Sequence, residues 1–137
     1  MIREVKFRGK SVDGQLVYGI PIKTHIGIYM VIEENPHVCS VYGYMEIDEF
    51  VKVDENTIGQ FTGLYDKNGK EIYEGDIVHL DAWSPYAMQI VFLEGAFCLA
   101  DEDGHYLGDI HYIHHAEVEQ CTVIGNIYDN SELLKEN

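Results

Sequence analysis

The sequence predicts a mostly β fold: a small SH3-like, partly open barrel core with antiparallel hairpins and a short C-terminal helical turn. Three observations predict it. Short runs rich in Val, Ile, Tyr and Phe recur along the chain, with the spacing of strands rather than of helices. Turn chemistry separates them, at Asp13-Gly14, Asn68-Gly69 and Asp103-Gly104. A helical start is found only near the end, after Asp129.

Taken in order, Val5 and Phe7, then Val17, Ile20 and Ile22, mark the first two strands. Between them Val12-Asp13-Gly14-Gln15 reads as a two-residue hairpin with a type I′ turn, which needs positive φ at both central residues. Further strands are expected over His25 to Ile32, Val38 to Tyr44, Glu46 to Val53, Asp76 to Leu80, Gln89 to Leu93, Ala96 to Ala100 and Gln120 to Tyr128. Asn130 or Ser131 is placed to cap a turn over Glu132-Leu133-Leu134-Lys135. A weak boundary at Asp54-Glu55-Asn56 separates an N-terminal hairpin subdomain, 1–55, from a barrel-type region, 56–137, the two expected to form one cooperative unit.

Composition narrows the function. The chain has 137 residues, 24 acidic against 9 basic, for a formal net charge of −15. A chain this long buries roughly two-thirds of its unfolded surface and needs no disulfide or metal to fold. The acidic excess opposes wrapping of DNA or RNA, which needs many cations on one face, so no direct nucleic-acid partner is expected. No apolar run approaches the roughly 18 residues of a membrane span, and Met1-Ile2-Arg3-Glu4 does not open a secretory signal. A cytoplasmic protein without membrane contact is the expectation. Cys39, Cys98 and Cys121 form no CxxC pair and sit in apolar runs, as buried thiols of a reducing compartment do. The charge is also unevenly spread. Arg3, Lys6, Arg8 and Lys10 open the chain, whereas no Lys or Arg occurs from Glu71 through Leu134.

Two segments stand out. Thr62-Gly63-Leu64-Tyr65-Asp66-Lys67-Asn68-Gly69-Lys70-Glu71-Ile72-Tyr73-Glu74-Gly75-Asp76-Ile77-Val78 reads as a turn, a tight hairpin and a second turn launching an apolar strand. Near the end, Val123-Ile124-Gly125-Asn126-Ile127-Tyr128-Asp129-Asn130-Ser131-Glu132-Leu133-Leu134 is a strand running into a capped turn. Together they resemble the YopX family of small proteins encoded mainly by bacteriophages and prophages. That family carries a TGLxDKNGKEIYEGDIV block and a VIGNIYENPELL-like end. Val5 to Lys10 is similar to the family's first strand. Ser131 departs from the family's usual proline and replaces a rigid helix start with a capping hydroxyl. The resemblance implies an intracellular, mostly β phage product in the cytoplasm of a bacterial host, and brings no established activity and no catalytic residue to map.

His105, His111, His114 and His115 lie among Asp101, Glu102, Asp103, Asp109, Glu117 and Glu119, a composition that permits zinc, manganese or iron. On a strand His111 and His115 would share one face with His114 opposite; on a helical turn all three would converge. Neither arrangement matches HExxH or a facial triad, so His111, His114 and His115 stand as metal candidates only, and no cofactor is expected. No GxxxxGK[ST], GxSxG or GxGxxG motif occurs, and no catalytic residue is assigned.

Ten tyrosines supply the remaining candidates. Tyr65, Tyr73, Trp83 and Tyr86 flank turns and form a candidate binding surface, since aromatics at loop ends can anchor a protein partner. The expectation is therefore a non-enzymatic protein-binding or assembly module, with homo-oligomers possible through edge strands. An acidic decoy of a host nucleic-acid-binding protein is one alternative. A metal-dependent enzyme using the His105 to His115 cluster is the other.

Overall fold

A computed structural model describes residues 4–32, 37–39, 41–80, 86–110 and 121–135. The fold is mostly β, with antiparallel sheets that do not close into a full barrel and one short helix. Contacts divide the chain into two compact units, Glu4–Gln60 and Phe61–Asn137. The sequence pattern places its weak boundary at 55/56, five residues earlier.

In the first unit, β1 (Phe7–Lys10), β2 (Leu16–Thr24), β3 (Gly27–Val31) and β6 (Phe50–Val53) form a meander in the order β6-β3-β2-β1. A separate hairpin pairs β4 (His37–Cys39) with β5 (Tyr44–Glu46). The stretch Val38 to Tyr44 is thus two short strands around a turn over 41–43, not one strand. A lone bridge, Ser11 to Val53, and the Asp54 N–H donated to the Lys10 carbonyl at 2.8 Å link the ends of β1 and β6. Asp54 also caps a 3₁₀ turn over Glu55–Thr57, its Oδ1 accepting the Asn56 N–H at 3.0 Å. Strand β7 (Gly59–Tyr65) begins in this unit, with Gly59 and Gln60 beside Arg8 and Phe7 of β1.

In the second unit the rest of β7 pairs with β8 (Glu71–Tyr73). A sheet in the order β12-β11-β10-β9-β13 contains β9 (Asp76–Leu80), β10 (Ala87–Leu93), β11 (Ala96–Ala100), β12 (Tyr106–Asp109) and β13 (Cys121–Asn126). Its main core joins Ile72, Val78, Leu80, Met88, Ile90 and Leu99, all essentially buried. Alternation in β9 and β10 sends Ile77 and Ala87 toward a second cluster, where they meet Leu134 of α1 (Glu132–Lys135). Cys98 and Cys121 are buried thiols. Among the described residues no helix is long and apolar enough to cross a membrane.

One turn geometry recurs three times. The N–H of Gly14, Gly69 and Gly104 is donated back to the carbonyl of Ser11, Asp66 and Asp101, respectively. The side chain at that first position then accepts the N–H four residues on: Gln15 to Ser11 at 3.3 Å, Lys70 to Asp66 at 2.9 Å, His105 to Asp101 at 2.9 Å. This corrects the type I′ expectation at Asp13-Gly14. Glu94 is the one non-glycine residue with positive φ among those described, so Asp13 does not meet the type I′ requirement. The loop is a three-residue hairpin ending in a left-handed glycine, a conformation in which a Cβ is strained.

Candidate functional site

The two distinctive sequence blocks meet in space. Asp66 receives the Asn68 and Lys70 N–H groups on Oδ1, at 2.8 and 2.9 Å, and the Val123 N–H on Oδ2 at 3.0 Å. Beside it the Lys67 N–H is donated to the Cys121 carbonyl at 2.9 Å. Further along, the Ile127 N–H is donated to the Gly75 carbonyl at 2.9 Å. A side chain at Gly75 would lie 3.2 Å from the Tyr128 ring. The C-terminal block is also folded on itself. Asn126 Oδ1 accepts the Tyr128 and Asp129 N–H groups, while Asn130 Oδ1 accepts the Asn126 N–H. Of the two candidate caps, Asn130 spends its side chain backward on Asn126, which leaves Ser131 as the candidate for the forward cap.

Two buried carboxylates belong to the first block, and both face backbone donors. Burial alone pushes the Asp66 carboxyl up; the N–H groups of Val123, Lys70 and Asn68 and the Lys70 ammonium outweigh it and hold the pKa below its ordinary 3.8. Asp76 is buried and accepts the Tyr73 N–H at 2.7 Å. Charge-assisted bonds of this kind fix loops in place, which is what both carboxylates do here.

The aromatic candidates separate. Tyr65 and Tyr86 are exposed, and Tyr65 packs edge-on against Phe61 with centroids 5.5 Å apart. Tyr73 is buried, at 2% exposure, with its hydroxyl donated to Glu71 at 2.9 Å, so it belongs to the interior and not to a surface. Trp83 lies outside the described residues.

Of the histidines, His111, His114 and His115 also lie outside the described residues. His105 does sit with carboxylates: one ligand atom each from Asp101, Asp103 and His105 fall within 4.8 Å of one another. The N–H of His105 is the main influence lowering the Asp101 pKa; slight desolvation opposes it, and the Asp103 N–H and the His105 imidazole add to it. The backbone contacts among them close the third copy of the recurrent turn, and the His105 ring adds a 3.4 Å contact to Asp101 Oδ2.

A different surface emerges that the sequence reading did not single out. Antiparallel sheets with one solvated face normally alternate apolar and polar residues. The first unit's sheet does not. Register places Ile20 opposite Val31, Ile22 opposite Tyr29 and Val31 opposite Phe50, all on one face. The other face holds Met30 and Val53, which are buried. On the first face Ile20, Ile22 and Phe50 remain exposed, and a shallow cavity of about 470 Å³ opens among Ile22, Ile26, Tyr29, Val31, Ile47 and Phe50. Tyr29 and Phe50 meet edge-on, with ring centroids 5.7 Å apart, and stiffen its wall. The sequence signals for this surface are two unbroken apolar runs, Gly19-Ile20-Pro21-Ile22 and Ile26-Gly27-Ile28-Tyr29-Met30-Val31-Ile32.

Comparison with known proteins accords with this architecture. The crystal structure of protein EF1440 from Enterococcus faecalis is 26% identical, covers 97% of this chain and 99% of its own, and superposes with a TM-score of 0.66. No functionally curated protein matches. The family model described as "YopX protein" matches residues 6–135, which include both interlocking blocks and the apolar sheet, and the chain belongs to the YopX family.

Proposed function

We propose that this YopX-family chain is a non-enzymatic protein-binding or assembly module, encoded by a phage or prophage and acting in the cytoplasm of a bacterial host. The observation that carries this reading is the apolar outer face of β2, β3 and β6. Water-facing apolar surface of this kind costs free energy that a protein partner recovers by covering it. The family's distinctive residues support the same reading, because Asp66, Gly75, Asn126 and Asn130 are engaged in holding strands and turns together.

The test is in-cell photocrosslinking with p-benzoylphenylalanine placed at position 50, on the face, or at position 12, in an exposed turn. Protein crosslinks are expected from position 50 and not from position 12. Crosslinks from neither position would overturn the reading.

A second reading draws on charge. Phe61–Asn137 contains three Lys and Arg against fifteen Asp and Glu. Such a unit could occupy the nucleic-acid-binding face of a basic host protein, with binding that weakens steeply as salt rises. Recovery of only neutral or acidic partners at low salt would remove it.

A further inference from the structure

We propose that Asn68-Gly69 is a spontaneous modification site guarded by Asp66: the closed turn keeps Asn68 intact, and an opened turn lets it deamidate and stay open. The inference stands apart from the protein-binding reading and uses none of the residues of the apolar face.

The chemistry begins in the sequence. Asn68-Gly69 is the chain's one Asn-Gly step. In such a step the glycine nitrogen can attack the asparagine side-chain amide, because the glycine has no Cβ to hinder the approach. A bond forms between the Gly69 nitrogen and Asn68 Cγ, the Cγ–Nδ2 bond breaks, and ammonia leaves with the proton of the Gly69 N–H. Water then opens the cyclic imide at either carbonyl and leaves aspartate or isoaspartate at position 68. Water is consumed and ammonia released, with no change of oxidation state and no cofactor. Asn68 and Gly69 are both exposed, so water reaches them. In the two sister turns the residue before the glycine is Asp13 or Asp103, and an ionised carboxylate is a far poorer electrophile than an amide.

The folded turn holds the nucleophile away from its target. The Gly69 N–H is donated to the Asp66 carbonyl at 3.0 Å, so attack requires that bond to break. The turn is clasped on both sides of this bond. Asp66 Oδ1 accepts the Asn68 and Lys70 N–H groups, and the Asp66 N–H is donated to the Lys70 carbonyl at 2.8 Å. The clasp also reaches β13, where Asp66 Oδ2 accepts the Val123 N–H and the Cys121 carbonyl accepts the Lys67 N–H. The rate of reaction therefore follows the fraction of chains in which the turn is open.

The products oppose reclosure. Isoaspartate routes the main chain through the side chain of position 68. That adds a methylene between the Asn68 and Lys70 N–H groups, which Asp66 Oδ1 accepts together in the closed turn. Aspartate keeps the main chain but sets a second carboxylate in the loop whose first, on Asp66, is buried. Either product weakens the grip of Asp66 on Val123, and a transient opening becomes permanent.

The test ages the purified full chain in mildly alkaline buffer, with and without unfolding concentrations of urea, and follows Asn68 by peptide mass mapping. The folded chain should lose Asn68 at least about tenfold more slowly than the unfolded one. Asp66→Ala should raise the folded rate at least about fivefold, with Asp66→Asn between it and the parent. Leu134→Ala, a core change on α1, controls for lost global stability and should stay within about twofold of the parent. Circular dichroism checks that each variant is folded; should Asp66→Ala fail, Asp66→Asn takes its place. In parent chains aged until Asn68 has reacted, hydrogen exchange at the Val123 amide should be about tenfold faster. A folded parent that reacts as fast as in urea, or a folded Asp66 variant no faster than the parent, would overturn the proposal. So would a Leu134→Ala rate as high as that of the Asp66 variant, or unchanged Val123 exchange after reaction.

Discussion

Asp66 accepts the backbone N–H of Val123 at 3.0 Å, across 57 positions of the chain. Its other oxygen is already committed to the local turn through Asn68 and Lys70. One side chain thus closes a hairpin loop and docks β13 beside it. Removing the carboxylate by Asp66→Ala leaves three N–H groups without this acceptor. The expected loss is about 2–4 kcal/mol, with Asp66→Asn losing less because an amide oxygen can still accept. Urea unfolding midpoints measure both; an Asp66→Ala chain as stable as the parent would contradict the assignment.

The same carboxylate sets a pH dependence. Its pKa in the folded chain lies below the ordinary 3.8, so at low pH the unfolded state binds the proton more readily. The stabilisation is complete above that ordinary value and is lost as pH falls through the folded one. Thermal unfolding should therefore show a steeper decline below about pH 4 for the parent than for Asp66→Asn, which lacks the titrating group. Parallel curves would show that Asp66 does not titrate as described. Asp101 has the same sign of shift but lies near the surface, where its effect is small.

Gly125 has a packing role. A Cβ there would lie 2.6 Å from Asn130 Oδ1 and 2.9 Å from Asn130 Cβ, so moving the amide tip alone does not relieve the clash. Gly125→Ala should displace Asn130, break its bond to the Asn126 N–H and loosen the approach to α1. A cost of about 1–3 kcal/mol is expected, together with faster hydrogen exchange at Asn126. Unchanged exchange at that amide would mean that the Asn130 contact is dispensable.

The tyrosines offer a contrast within one residue type. Tyr73→Ala empties an interior site and should cost about 3–5 kcal/mol, whereas Tyr86→Ala, on the surface, should cost about 1 kcal/mol or less. Equal losses in calorimetry would refute the division between core and surface aromatics.

Much of the β framework was legible locally. Asp76–Leu80 and Ala96–Ala100 coincide with the expected strands, and Asn68-Gly69 and Asp103-Gly104 do form turns. The segment around Thr62-Gly63 was read as a turn and is a strand with a bulge between Phe61 and Tyr65. A glycine in an apolar run can mark either outcome. The choice fell to β8, whose Ile72 carbonyl accepts the Thr62 hydroxyl at 2.7 Å. Nothing local to Thr62 announces that acceptor.

By itself, then, the sequence determined the β class, the turns ending at Gly14, Gly69 and Gly104 and the membership of a family, because alternation, turn chemistry and short motifs are properties of neighbouring residues. The tertiary structure alone decided that Tyr73 is interior, that Asp66 reaches Val123, and that Ile22, Tyr29 and Phe50 share an outer face. Those outcomes depend on strand register. A slip of one residue would turn each strand's side chains to the opposite face, and register is set by pairing between segments far apart in the chain.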